Sequence, residues 1–273
     1  MNRIESTFAE LRAHGRKALM PFVTAGYPTL ETTAAILPAL ERGGAAVCEV
    51  GIPFSDPIAD GPVIQASMTE ALARGIHPSD ILKMVRELRG RLKMALVAMV
   101  SYSIPYRIGV ERFISQAREA GFDGFIFPDL PLEESGAVGK AVAEAGMTSS
   151  LLIAPTTPDD RAAQIAKAST GFIYMLARTG ITGERDSLPP DLTPRVTRLR
   201  AASKLPIAVG FGISRPEHVR AVTSVADAAI VGSALVRRIG QHKGKSVEAI
   251  AEDAGAFIHQ LSAGLTSATV ATG

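Results

Sequence analysis

Short apolar runs alternate along the chain with longer segments of helical periodicity. The runs are ALMPFVTAG (18–26), AAVCEVG (45–51), MALVAMVS (94–101), GFIFPD (124–129), SSLLIAP (149–155), GFIYMLA (171–177), PIAVGFG (206–212) and AAIVGSA (228–234). Each has strand length and is apolar at most positions, as strands buried on both faces are. Between them lie segments such as LETTAAILPALERGG and VERFISQAREAG, which carry helical patterns and end in glycine, as helix C-caps do. Eight strand–helix units predict a parallel sheet closed into a single (β/α)8 barrel of the TIM type, class α/β, over residues 1–273. The alternative is an open doubly wound sheet. No Gly-x-Gly-x-x-Gly turn follows the first run, and no break in composition marks a second domain. Within residues 1–17, Ile4, Phe8 and Leu11 stand at helical spacing and predict an amphipathic N-terminal capping helix.

Barrels of this kind carry their sites on the loops that follow the strands. Two of those connections are long: residues 52–68 after the second run and 178–191 after the sixth. Long connections without apolar period inside a compact domain are commonly lids or binding loops, and both are expected to be active-site loops.

Composition narrows the function classes. With 47% apolar residues a large core is available, and a net charge of +2 gives no electrostatic footprint for nucleic acid. The opening MNRIESTFAELRAHGRK has no apolar stretch of the signal-peptide type, and no window approaches about 18 uninterrupted apolar residues, so no membrane span and a cytoplasmic location are expected. The one cysteine, Cys48, lies in an apolar run and reads as a small core filler.

The seventh run ends in Gly210-Phe211-Gly212-Ile213-Ser214 and the eighth in Val231-Gly232-Ser233-Ala234. Glycine lets backbone N–H groups approach an anion, and a helix N-terminus adds a favourable dipole. Loops seven and eight are where phosphate commonly binds in these barrels, with Thr182-Gly183 placed to close a third side. Tight corner turns without a ligand are the alternative.

Chemistry follows from what is missing. None of Lys17, Lys83, Lys93, Lys140, Lys167, Lys204, Lys243 and Lys245 lies in the C-terminal half of a run, where a Schiff-base lysine is needed. None of His14, His77, His218, His242 and His259 ends a run, so a clustered metal site is not expected. Carboxylates remain. Glu49 shares a strand face with Val47 and Gly51. It is either a proton carrier facing the ligand, with a pKa raised by burial, or a structural acid paired with a buried arginine. Asp56 and Asp60 on the following loop are functional acids or ordinary turn residues. Phe22, Val100, Tyr102, Ile126, Ile153, Tyr174 and Phe211 stand at or near the ends of runs, either as core or as the lining for a flat apolar group.

PFVTAGYP (21–28), EVGIPFSDPIADGPVIQ (49–65), YMLARTGITG (174–183), VGFGIS (209–214) and IVGSA (230–234) together resemble the tryptophan synthase alpha subunit family, in the family's order over almost the whole chain. The resemblance implies retro-aldol cleavage of indole-3-glycerol phosphate to indole and glyceraldehyde 3-phosphate, without metal or Schiff base. It implies Glu49 as the general acid–base, Asp60 at the indole N–H, and Tyr174 beside the reacting centre. It places Phe22, Val100, Tyr102, Ile126, Ile153 and Phe211 around indole, and Gly183, Gly212, Gly232 and Ser233 around phosphate. It implies an α2β2 tetramer whose β subunit holds pyridoxal phosphate, with Asp56 coupling the subunits. In place of the family's Tyr-x-Asn-Pro-aliphatic segment stands Tyr102-Ser103-Ile104-Pro105-Tyr106, which puts subunit communication in question more than catalysis. Two other readings remain: a Mg²⁺- and pyrophosphate-using barrel of the prenyl- or thiamin-phosphate synthase kind, and a non-enzymatic module that only activates a β subunit.

Overall fold

The computed structural model describes residues 2–57, 60–177, 189–210 and 212–265. Nine parallel strands form one sheet: β1 (Ala18–Thr24), β2 (Val47–Gly51), β3 (Ala95–Met99), β4 (Gly124–Ile126), β5 (Thr148–Ser150), β6 (Leu152–Ile153), β7 (Ile173–Leu176), β8 (Ile207–Gly210) and β9 (Ala228–Val231). Their order is β5-β4-β3-β2-β1-β9-β8-β7-β6. The two end strands are consecutive in the chain, separated only by Leu151, so the chain itself joins the ends and the sheet closes as an eight-position barrel.

The fifth run was expected as a single strand and is split. The Leu151 N–H donates to the Ser169 hydroxyl (3.2 Å), and the Ser149 N–H donates to the Thr170 hydroxyl (2.7 Å). Side-chain acceptors from the turn before β7 thus replace ladder carbonyls, and pairing passes from β4 on one side to β7 on the other.

Twelve helices accompany these strands among the described residues: α1 (Arg3–Ala13), α2 (Leu30–Arg42), α3 (Pro62–Ala73), α4 (Pro78–Leu88), α5 (Ser103–Ile108), α6 (Val110–Ala120), α7 (Ser135–Glu144), α8 (Asp159–Ala168), α9 (Leu192–Ala202), α10 (Pro216–Thr223), α11 (Ser233–Gln241) and α12 (Val247–Ser262). The expected glycine stop is present at Gly121, which takes a left-handed φ of 100° where α6 ends. The connection after β2 is shorter than the expected 52–68. Helix α3 begins at Pro62, with Gly61 extended at its N-cap, because proline is preorganised for the first helical position. Ile64, Met68 and Ala71 then bury one helical face. Residues 178–188 of the second long connection lie outside the described residues.

The N-terminal helix closes one end of the barrel. Ile4 is fully buried and Phe8 nearly so, and the Phe8 ring lies 5.9 Å from that of Phe172. The Asn2 amide donates to the carbonyls of Asp123 (2.7 Å) and Gly146 (3.0 Å). Asp123, Gly146 and Phe172 lie one or two residues before the strand segments β4, β5 and β7, so α1 covers the end where strands begin. The opposite end is left to the loops that follow the strands. Replacing Phe8 by Ala is expected to cost about 3–5 kcal/mol of stability, as large-to-small core changes do. Equilibrium urea unfolding measures this, and a loss below about 1 kcal/mol would show that the plug is not part of the folded unit.

Candidate active site

Parallel register fixes which side chains share the barrel interior. Glu49 pairs with Phe22 on one side and Val97 on the other, and Gly51 pairs with Thr24 and Met99. Alternation puts Glu49 and Gly51 on one face with Phe22. The Phe22 ring lies directly over Gly51, where a Cβ would come within 2.5 Å of its Cζ. Any larger residue at 51 displaces the ring. Glycine here is required by close approach rather than by backbone angle.

Glu49 is completely buried, and among the described residues neither of its carboxyl oxygens has a hydrogen-bond partner. No arginine among the described residues pairs with it, which favours a proton carrier over a structural acid. The buried arginines are engaged elsewhere: Arg89 donates to the carbonyls of Leu92 and Met94, and Arg195 to that of Ala154. Burial raises the Glu49 pKa well above the ordinary carboxylate value, and the negative charge of Asp60 raises it further.

Asp60 is half-buried at the end of the β2–α3 connection, and burial brings its pKa up to about 6. The backbone around it is held by Gln65, whose side-chain amide donates to the carbonyls of Asp60 (2.7 Å) and Pro57 (3.1 Å). Tyr174 on β7 is buried, and its phenol is pushed well up, first by desolvation and then by the charges of Glu49 and Asp60. Three groups from two strands and one loop therefore sense one another. A Cβ on Gly210 would lie 3.7 Å from the Tyr174 hydroxyl, which places that hydroxyl by the end of β8.

Phe22, Val100 and Ile126 are buried, and Ile126 pairs with Met99 on the Glu49 face. Ile153 is placed differently from the expectation. It pairs with Met175, whereas Leu152 pairs with Tyr174, so Leu152 shares the interior face and Ile153 the helix-facing one. There Ile153 lines a cavity of about 120 Å³ with Arg195 and Leu199. Alternation runs unbroken across Leu151: Ser150 pairs with Ile126 and Leu152 with Tyr174, both on the interior face.

Tyr102 is half-buried after β3 and held by Asp129, whose carboxylate accepts from the Tyr102 N–H (2.8 Å) and the Ser101 hydroxyl (2.6 Å). Its ring meets Phe127 edge-on at 6.2 Å. Asp129 and Gln65 were not singled out from sequence. Asp129 ends the fourth run, as an active-face residue should; Gln65 gave no signal apart from closing the quoted acidic stretch. Asp56 is exposed and, among the described residues, accepts only from the neighbouring Ser55 hydroxyl (2.9 Å). Ile104 is half-buried against the core rather than freely exposed.

At the proposed phosphate end, Gly212 has a φ of +60°, a conformation that favours glycine. Gly232 is the N-cap of α11 and supplies no side-chain cap, and Ser233, the first helical residue, is buried. Strands β8 and β9 are neighbours, so these two glycines end adjacent strands. Gly183 and Phe211 lie outside the described residues. Among the described residues, no three His, Cys, Asp or Glu side chains form a group that could hold a metal.

A family model described as Tryptophan synthase alpha chain matches residues 8–265. The tryptophan synthase alpha chain of Rhodopirellula baltica is 47% identical over 271 residues, covering 96% of this chain and 98% of that one. That of Prochlorococcus marinus is 46% identical over 260 residues, covering 94% and 93%. Among solved structures, tryptophan synthase subunit alpha from Legionella pneumophila superposes with a TM-score of 0.87 at 37% identity, covering 97% of this chain and 98% of that one. A tryptophan synthase from Mycobacterium tuberculosis gives a TM-score of 0.86 at 29% identity, covering 97% and 100%.

The buried acids make stability depend on pH. A carboxyl with a raised folded-state pKa holds a proton that the unfolded chain releases, so stability falls as pH rises from the unfolded value toward the folded one. For Asp60 that window runs from 3.8 to about 6. Glu49 extends the fall to higher pH, at up to about 1.4 kcal/mol per pH unit. Urea unfolding between about pH 6 and about pH 8 is expected to show a fall in wild type that Glu49→Gln abolishes. Equal slopes in both proteins would mean that Glu49 is ionised when folded.

Proposed function

The chain belongs to the tryptophan synthase alpha chain family, so its reaction is cleavage of indole-3-glycerol phosphate to indole and glyceraldehyde 3-phosphate, and we propose that Glu49 and Asp60 divide the acid–base work of that cleavage. The observation that carries the division is a completely buried, unpartnered Glu49 beside a half-buried Asp60.

The reaction breaks the bond between indole C3 and the adjacent glycerol carbon. Carbon C3 must gain a proton, and the hydroxyl on the glycerol carbon must lose one. Glu49 begins protonated because its site disfavours the charge. It donates its proton to C3, which generates a cation delocalised onto the ring nitrogen. The resulting Glu49 carboxylate takes the hydroxyl proton, the carbonyl forms, and the bonding electrons restore the aromatic ring. Glu49 ends as it began, and no net proton is consumed. Asp60, with a pKa of about 6, is mostly ionised near neutral pH and stabilises the positive charge by accepting from the ring N–H. Tyr174 stands beside the reacting centre.

Phe22, Val100, Tyr102 and Ile126 wall the indole, with Leu152 joining them in place of Ile153. Phe211 belongs to the same wall by its position in the sequence. The amide groups of Gly212, Gly232 and Ser233, with Gly183, hold the phosphate, supported by the uncapped start of α11.

Family membership implies partnership with a β subunit. The finer reading is an α2β2 assembly in which pyridoxal phosphate resides in the β subunit and this chain needs no cofactor of its own. Asp56 couples the two subunits, as its exposure away from the buried acids supports. A cytoplasmic location fits the family's place in amino-acid biosynthesis.

Removing one proton-transfer group is expected to lower turnover by about 10²–10⁴-fold. Glu49→Gln should reach the upper end while still binding substrate, because the amide keeps the shape and lacks the titrating proton. Steady-state indole release, with substrate binding measured in parallel, tests this; near-normal turnover would exclude the mechanism. Asp56→Asn should cleave indole-3-glycerol phosphate at the wild-type rate when alone, yet respond less to added β subunit. An undiminished response would remove Asp56 from coupling.

A further inference from the structure

Outside the barrel, helices α4 and α6 pack together and leave a groove of about 610 Å³ beside their contact. Its floor is apolar, with Leu82 and Phe113 buried at its base. Its walls carry four cations: Lys83 and Arg86 from α4, Arg107 from α5, and Arg112 from α6. No Asp or Glu lines it.

Among the described residues, ion pairs engage other basic side chains and none of these four. The nearby acid Asp80 accepts from the N–H of His77 (2.9 Å) at the start of α4 and makes no ion pair with these cations. Lys83 and Arg86 stand three residues apart on one helix, a spacing at which like charges repel. Helix α6 starts at the groove behind Gly109, which provides no side-chain cap, so the positive end of an eleven-residue helix adds to the four charges. A solvated basic surface needs neither an apolar floor nor a ligand-sized concavity; this groove has both.

We propose that the α4–α6 groove binds a small polyanion, a phosphorylated metabolite with a compact apolar part resting on Leu82 and Phe113. The site is distinct from the barrel interior. It uses none of the residues assigned to cleavage, so its occupancy and the cleavage reaction are separable by mutation. It adjoins the active face through α5, whose Tyr106 ring lies 6.0 Å from that of Tyr102.

The test is calorimetric titration of the full chain with inorganic triphosphate, in which binding at the groove is the component lost in a double variant that leaves the barrel untouched. Wild type is expected to bind one equivalent at the groove, with affinity falling as salt is raised. Arg86→Gln with Arg112→Gln should weaken binding at least about tenfold, since each removes a charge-assisted contact. Indole release by the double variant should stay at the wild-type rate, and circular dichroism should show an unchanged fold because all four cations are solvent-facing. Absence of wild-type binding, or equal binding by wild type and double variant, would overturn the proposal. So would tighter binding of a polyglutamate peptide than of triphosphate, lost in the same variant, because the groove would then serve an acidic protein segment.

Discussion

The burial of one carboxyl group without a partner is the constraint around which the barrel is organised. In water an acid of this kind gives up its proton at mildly acidic pH. In the barrel interior, no cation or donor among the described residues reaches Glu49, so ionisation is disfavoured and the proton stays. That outcome requires a dry interior. The plug of Ile4 and Phe8 closes the end where strands begin, and Phe22, lying over Gly51, walls the space beside the acid. Glycine at 51 is the smallest part of this arrangement and the one with least tolerance.

The second acid is held by different means. Glu49 belongs to a strand with neighbours on both sides, whereas Asp60 is carried by a connection whose backbone is fastened by the Gln65 amide. The two environments separate the acids: one is fully enclosed and the other half-open, with a pKa near 6. A pair of like groups with unlike protonation is what a reaction needs when it must donate a proton at carbon and stabilise a cation nearby. Asp129 does comparable work for the loop after β3, where it fixes the backbone that carries Tyr102. Neither fastening residue has to touch the substrate to matter.

Most of the architecture could be read from the chain because barrel strands are buried on both faces and leave continuous apolar runs. The N-terminal helix was legible for the opposite reason, since only one of its faces is buried and the spacing of Ile4 and Phe8 shows it. Errors arose where a local rule yields to a neighbour. The acidic loop reads longer in the sequence than it is, because Pro62 resembles a loop residue until its place at the start of a helix is known. Ile153 stands beside the pocket by position in its run, but the pairing of Leu152 with Tyr174 puts Ile153 on the opposite face, and only the register shows this. The cationic groove had no signature, because its four charges come from three helices and look scattered along the chain.

The sequence by itself determined the number and order of the strand–helix units, the face on which Glu49 lies, and the family motif around it. These depend on short-range periodicity, which a chain displays before it folds. Only the tertiary structure decided that Glu49 has no partner, that Tyr174 and Asp60 come within electrostatic reach of it, and that Leu152 rather than Ile153 faces them. A pKa depends on everything that surrounds a group, and those surroundings come from segments more than a hundred residues apart.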